Sequence, residues 1–158
     1  MDATQGLSLH RLSAFARQLS IGKSKHFSQG IKAMKIRVLK DEFTVYQYEK
    51  DDFPGAYLYD HPFISITSTG DEISVVTAGN NLKGYKKAEE GWRALKIDEI
   101  LDFGAVGVIR DISGILADLN TSIFVISTFN TDYIMVKKDR LESSTGALKE
   151  RGYSIEYE

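Results

Sequence analysis

From Lys35 onward, apolar residues recur in short runs separated by turn-forming residues, the pattern of several short strands and a few helices. Ile36 and Val38, then Phe43, Val45, Tyr46 and Tyr48, form β-rich runs broken at Lys40-Asp41-Glu42, which predicts two strands or one bent strand. Asp51-Asp52-Phe53-Pro54-Gly55 has turn chemistry. Phe63 to Ser68 alternates as a strand, and Gly70-Asp71 turns it into Ile73 to Thr77, which predicts a hairpin. Asn80 to Glu90 is polar, with Leu82, Tyr85 and Ala88 spaced for a short helix. A further strand follows over Trp92, Ala94, Leu95 and Ile97.

The second half is cleaner. Ile100-Leu101-Asp102-Phe103 reads as a short strand and Gly104-Ala105-Val106-Gly107 as a loop entering a helix. Val106, Ile109, Ile112, Leu116 and Leu119 keep helical spacing, and Asn120 is a stop signal. Ser122 to Ser127 is a strongly apolar strand, Asn130-Thr131-Asp132 a turn, and Tyr133 to Val136 the hairpin partner. Asp139 is positioned to cap a last helix through Leu141 and Leu148, ended by Gly152, before an alternating strand over Tyr153, Ile155 and Tyr157. The order β-α-β-β-α-β predicts an α+β, ferredoxin-like layout: an antiparallel sheet with the helices on one face. The first half reads as a degenerate copy in which Asp51–His61 replaces the first helix. The domain division expected is a leader over 1–33, a degenerate copy over 34–98 and a complete copy over 99–158. Phe15, Trp92 and the tyrosines offer aromatic area for packing between halves.

Composition changes this picture little. The 158 residues are 42% hydrophobic and 27% charged, with a net charge of −2. Those figures describe an ordinary globular chain with no general pull toward nucleic acid or anionic membrane. No apolar run approaches the roughly 20 residues that cross a bilayer. Cysteine is absent, which fits a reducing, cytoplasmic compartment and excludes thiolate chemistry. The exception is the leader, where Arg11, Arg17, Lys23, Lys25 and Lys32 face only Asp2 among scattered serines. Such a segment reads as a flexible tail, as a start placed ahead of Met34, or as a mitochondrial transit peptide.

Catalytic constellations are missing. His10 and His26 fall in the leader, and His61 has no ligand spacing around it. No serine sits in a nucleophile elbow, and the carboxylate pairs Asp51-Asp52, Asp71-Glu72 and Glu89-Glu90 fall in turn-like segments. The expectation is a protein that is not an enzyme and uses no metal or cofactor. Two segments retain binding chemistry. Gly104–Gly107 lacks the third glycine of a dinucleotide fingerprint, but it opens a helix where the amides of Gly107, Val108 and Ile109 can hold an anion. It also reads as a plain tight turn. Ser127-Thr128-Phe129-Asn130-Thr131-Asp132 gathers hydroxyls, an aromatic ring and a carboxylate. Thr128 can bond a polar ligand group, Phe129 can cover an aliphatic chain or face a cation, and Asp132 can pair with a positive charge. The same residues also suit a simple hairpin turn.

Trp92-Arg93-Ala94-Leu95-Lys96, Leu101-Asp102-Phe103 with Val106-Gly107-Val108-Ile109, and Ile123 to Tyr133 together resemble one family of ACT-domain proteins. That family comprises small tandem-ACT bacterial proteins and the arginine-sensing CASTOR proteins of animals. Its Ser-Thr-Phe/Tyr-x-x-Asp signature is matched by Ser127, Thr128, Phe129 and Asp132. The regulatory region of aspartate kinases is similar at greater distance. The likeness runs from Lys35 to Tyr157. It implies tandem ACT domains that bind a free amino acid without turning it over, with the ligand at an interface between ACT units. It implies that Gly107, Val108 and Ile109 contact the ligand's backbone groups, that Thr128 and Phe129 line the pocket, and that Asp132 meets a cationic end or an amine. One tandem pair instead of two makes a homodimer the expected assembly, acting on a regulated protein partner. A pure protein-interaction module is the alternative. RNA binding shares the element order, but Tyr133-Ile134-Met135-Val136-Lys137 lacks the aromatic signature of RNA-recognition strands.

Overall fold

A computed structural model describes residues 34–50, 61–101 and 103–158, and residues 33–158 fall in one compact unit. The leader and most of Asp51–His61, with the helix substitute expected there and Phe15, lie outside the described residues. The elements are β1 (Lys35–Tyr48), β2 (Ile64–Ser68), β3 (Ile73–Ala78), β4 (Lys87–Ile97), α1 (Val108–Asp118), β5 (Ile123–Ser127), β6 (Asp132–Lys137), α2 (Leu141–Glu150) and β7 (Ser154–Tyr157).

The strands make one sheet in the order β2-β3-β1-β4-β6-β5, with β7 added alongside β1. All pairings are antiparallel except β1 with β7, where Ile36 lies beside Ile155 and Val38 beside Tyr157. The two runs of the first segment are thus one bent strand. Its pairing with β4 slips between Val38 and Glu42, and again where Gly91 takes φ 77. Such bulges kink a strand and sharpen its twist. The N-terminal half of β1 therefore joins β7, while its C-terminal half joins β3.

Alternation sorts the side chains into two cores. Ile36 and Val38 of β1, Leu95 and Ile97 of β4, and Ile134 and Val136 of β6 pack with Ile112, Ile115 and Leu116 of α1 and Leu148 of α2. The intervening positions, Ala94, Met135 and Ile126, join Phe43, Val76 and Trp92 on the opposite face. With both faces covered, β5 and β6 read as continuous apolar runs. The sheet curls over this second core. Phe63, just ahead of β2, packs its ring 5.2 Å from Phe43 and 5.1 Å from Tyr133, and β2, β3 and β5 border one cleft of about 150 Å³. Tyr46, Tyr48, Ile73, Val75 and Leu82 form a third cluster.

Both helix ends are closed by backbone geometry. Asn120 takes φ 52, its amide donates to the Ala117 carbonyl at 2.8 Å, and the Thr121 amide donates to the Leu116 carbonyl at 3.0 Å. Gly152, at φ 95, repeats this closure for α2 through Tyr153 and Leu148. Each is a reverse-turn cap that satisfies carbonyls at the helix end.

Three sequence expectations are corrected. Lys87 to Glu90, expected within a helix, belongs to β4, because Lys87, Ala88 and Glu89 pair with Gln47, Tyr46 and Val45. Ile100, Leu101 and Phe103, the described residues of the strand expected at 100–103, are not in a strand: Ile100 and Phe103 are 83% and 80% exposed, so their apolarity marks an unburied surface. Asp139 does not cap α2; it lies in a 3-10 turn over Lys138–Arg140, and Arg140 holds the N-cap position without a side-chain bond.

Candidate functional site

The connection from β4 to α1 and the turn from β5 to β6 enclose an open cavity of about 360 Å³. All six residues singled out by sequence line it: Gly107, Val108 and Ile109 on one side, Thr128, Phe129 and Asp132 on the other.

The first wall is the start of α1. Gly107 is its N-cap, at φ 90 and ψ −1, a left-handed conformation that an L side chain resists. The first intrahelical bond runs from the Asp111 amide to the Gly107 carbonyl at 3.0 Å. The amides of Gly107, Val108, Ile109 and Arg110 therefore have no partner within the helix, and no side chain caps the end among the described residues. Backbone donors and the positive end of the helix dipole favour an anion here. Arg110 adds a guanidinium to the lining; its side chain is largely exposed and its Nε lies 3.6 Å from Asp111.

The second wall is the β5–β6 turn. The Thr128 amide donates to the Thr131 carbonyl at 2.9 Å, and the Thr128 hydroxyl donates to the same oxygen at 2.7 Å while accepting the Thr131 amide at 3.2 Å. The hydroxyl expected to reach a ligand is thus already engaged in closing the turn. Phe129 stands at the tip, 80% exposed, with its ring centroid 5.1 Å from that of Phe103 in edge-to-face contact. Asp132 opens β6 opposite Ser127 and is among the residues that line the cavity.

Leu101, Phe103, Ala105, Ser127, Asn130 and Thr131 complete the lining. Phe103 is the most informative residue missed: assigned to the end of a short strand, its apolar ring carried no functional signal in the sequence. Arg110 was missed because a single arginine in a first helical turn is unremarkable by pattern. The cavity thus brings helix-start amides without intrahelical partners, an acidic residue and two aromatic rings around one space.

Outside the cavity, the described residues contain no cluster of three or more His, Cys, Asp or Glu side chains able to hold a metal. No helix among them is long and apolar enough to cross a membrane.

Residues 87–150 match the family model of the ACT domain. The cytosolic arginine sensor for mTORC1 subunit 1 of Rattus norvegicus is 29% identical over 98 residues, covering 57% of this chain and 30% of the relative. The match therefore spans less than a third of that protein's length. A crystal structure of an Agrobacterium tumefaciens protein is similar with a TM-score of 0.71 and 25% identity, over 79% of this chain and 93% of that one. The ligand-free regulatory subunit of aspartate kinase from Thermus thermophilus shares the fold, with a TM-score of 0.56 and 10% identity over 75% and 98% of the two chains.

Proposed function

We propose that residues 87–150, which match the ACT-domain model, serve as a regulatory domain, and that the chain is a non-catalytic protein that binds a free amino acid. The observation that carries this reading is the convergence of Gly107, Val108, Ile109, Thr128, Phe129 and Asp132 on one cavity. The ligand carboxylate bonds the first-turn amides of α1, and Asp132 pairs with its amino group or a cationic side chain. Phe129 and Phe103 cover its carbon chain, and Thr128 holds the turn that presents Phe129. The arginine sensor named above supports an amino acid as the ligand class. The protein acts in the cytoplasm, and no residue performs a chemical step.

The cavity is open on one side, and a second copy of the chain closes it in a homodimer. The experiment is a set of thermal melts of the full chain with each standard amino acid in excess. A ligand specific to the folded state stabilises by about 2.7 kcal/mol at a hundredfold excess over its dissociation constant. Asp132→Ala is expected to abolish the shift while leaving the unliganded melt nearly unchanged. A shift retained in that variant contradicts the assignment of Asp132, and no shift with any amino acid contradicts the reading.

One observation favours a second reading. Ile100, Phe103, Val106 and Phe129 are each at least 80% exposed, in two segments that meet through the Phe103–Phe129 contact. Large exposed apolar side chains concentrated in one region are characteristic of association surfaces. A protein-interaction module then uses this surface for a regulated partner. Sedimentation discriminates between the two: the sensor predicts a dimer whose stability responds to an amino acid, the interaction module an assembly indifferent to all of them.

A further inference from the structure

Strand β4 leaves its ladder with β6 after Lys96 pairs Tyr133. The next carbonyl, that of Ile97, lies past this final pair in a fully buried residue, where an unbonded oxygen is costly. Thr131, one residue before β6, supplies the bond: its buried hydroxyl donates to the Ile97 carbonyl at 2.6 Å. From the other side the Asp98 amide donates to the Lys35 carbonyl of β1 at 2.8 Å. Three residues further on, the Leu101 amide donates to the Asn130 carbonyl at 2.9 Å. Adjacent residues of one turn thus grip the β4–α1 connection at two points, with an arch over residues 98–100 between them. Beyond Leu101 the same connection carries Phe103, Ala105 and Gly107 onto the cavity.

We propose that Thr131 is a positioning residue, a clamp that sets the spacing between the start of α1 and the Phe129–Asp132 wall. This rests on the reading of the cavity as an amino-acid site. A ligand spanning the cavity needs both walls at a fixed separation, and the Thr131 hydroxyl fixes it through the backbone without being spent on the ligand. Two anchored points also order the connection before binding, so less entropy is lost when a ligand arrives.

Thr131→Val keeps the shape of the side chain and removes the donor, whereas Thr131→Ser keeps the donor. Hydrogen exchange of the full chain tests the clamp without a ligand. The Leu101 amide is expected to be protected in the wild type and to exchange about tenfold faster in Thr131→Val, the scale of one lost hydrogen bond. Any general loss of stability is measured at the amides of Leu95 and Ile134, and the Leu101 effect must exceed it. Thr131→Ser is expected to restore protection. The second arm uses the standard amino acids one at a time: whichever stabilises the wild type is expected to bind about tenfold more weakly to Thr131→Val and normally to Thr131→Ser.

Unchanged Leu101 exchange in the valine variant, unchanged affinity, or failure of serine to restore either one overturns the proposal. If no amino acid stabilises the wild type, the binding reading fails, while the exchange arm still decides whether the clamp exists. Should the valine variant not fold, Leu101→Pro removes the other donor. Reduced affinity there supports the clamp, and unchanged affinity overturns it.

Discussion

At the scale of single residues, the site was more legible by position than by chemistry. Gly107, Val108 and Ile109 were identifiable because a glycine pair ahead of a helical apolar repeat marks where amides lose their intrahelical partners. Asp132 and Phe129 stood out because a carboxylate and an aromatic ring are concentrated beside a buried strand. The Thr128 hydroxyl illustrates the limit. Sequence allowed it either to close a hairpin or to reach a ligand, and only the bonds to Thr131 show that it closes the turn. Gly107 permits a direct test at this scale. At φ 90 it holds a conformation that costs an L-residue roughly 1–2 kcal/mol. Gly107→Ala is expected to lower unfolding stability by about that amount in denaturant titrations, and to weaken the ligand response as the helix start shifts. An unperturbed alanine variant would show that the left-handed N-cap is dispensable.

At the scale of elements, sequence reasoning succeeded where a period persisted and failed where polarity stood in for structure. The apolar repeat of α1, the β2–β3 hairpin and the β5–β6 hairpin were all legible. Asn80 to Glu90 was misread because β4 begins as a polar, partly exposed strand, so the helical spacing of Leu82, Tyr85 and Ala88 was accidental. Ile100 to Phe103 was misread because four residues rich in apolar side chains look like a strand whether or not anything covers them. Two phenols are also withdrawn from water, one fully and one in part. Tyr48 at the end of β1 is fully buried and donates to the Lys83 carbonyl at 3.0 Å. Burial pushes its pKa above the usual 10.0. Tyr153, between α2 and β7, is raised in the same direction by burial and by the negative charge of Asp111. A raised tyrosine pKa means that folding favours the protonated form. This contribution is fully present below pH about 10 and is lost as pH rises from there through the folded-state value. Stability measured by denaturant titration is expected to hold to near pH 9 and fall above 10. Tyr153→Phe is expected to flatten that decline, and an unchanged slope would remove Tyr153 from the explanation.

At the scale of the whole molecule, a β-α-β-β-α-β order is present over β4-α1-β5-β6-α2-β7, but its first strand is β4 and not the strand expected at Ile100 to Phe103, and how the two halves share one sheet was not legible. That sharing depends on the bend in β1, which inserts its N-terminal half between β7 and β4 and sends its C-terminal half to β3. A bulge is set by registers between distant segments, so no local window reveals it. The consequence for function is rigidity behind the site. Leu95, Ile97 and Ile134 are fully buried where β1, β4 and β6 converge, and the cavity is built on the loops that leave these strands. The central claim, that an amino acid occupies this cavity, is tested most directly by mapping amide shifts in NMR spectra of the full chain during titration with the amino acid that most raises its melting temperature. The largest shifts are expected to cluster at Gly107 to Arg110 and at Thr128 to Asp132. Shifts centred elsewhere, such as the cleft between β2 and β5, or none in these two segments at saturation, would contradict that claim.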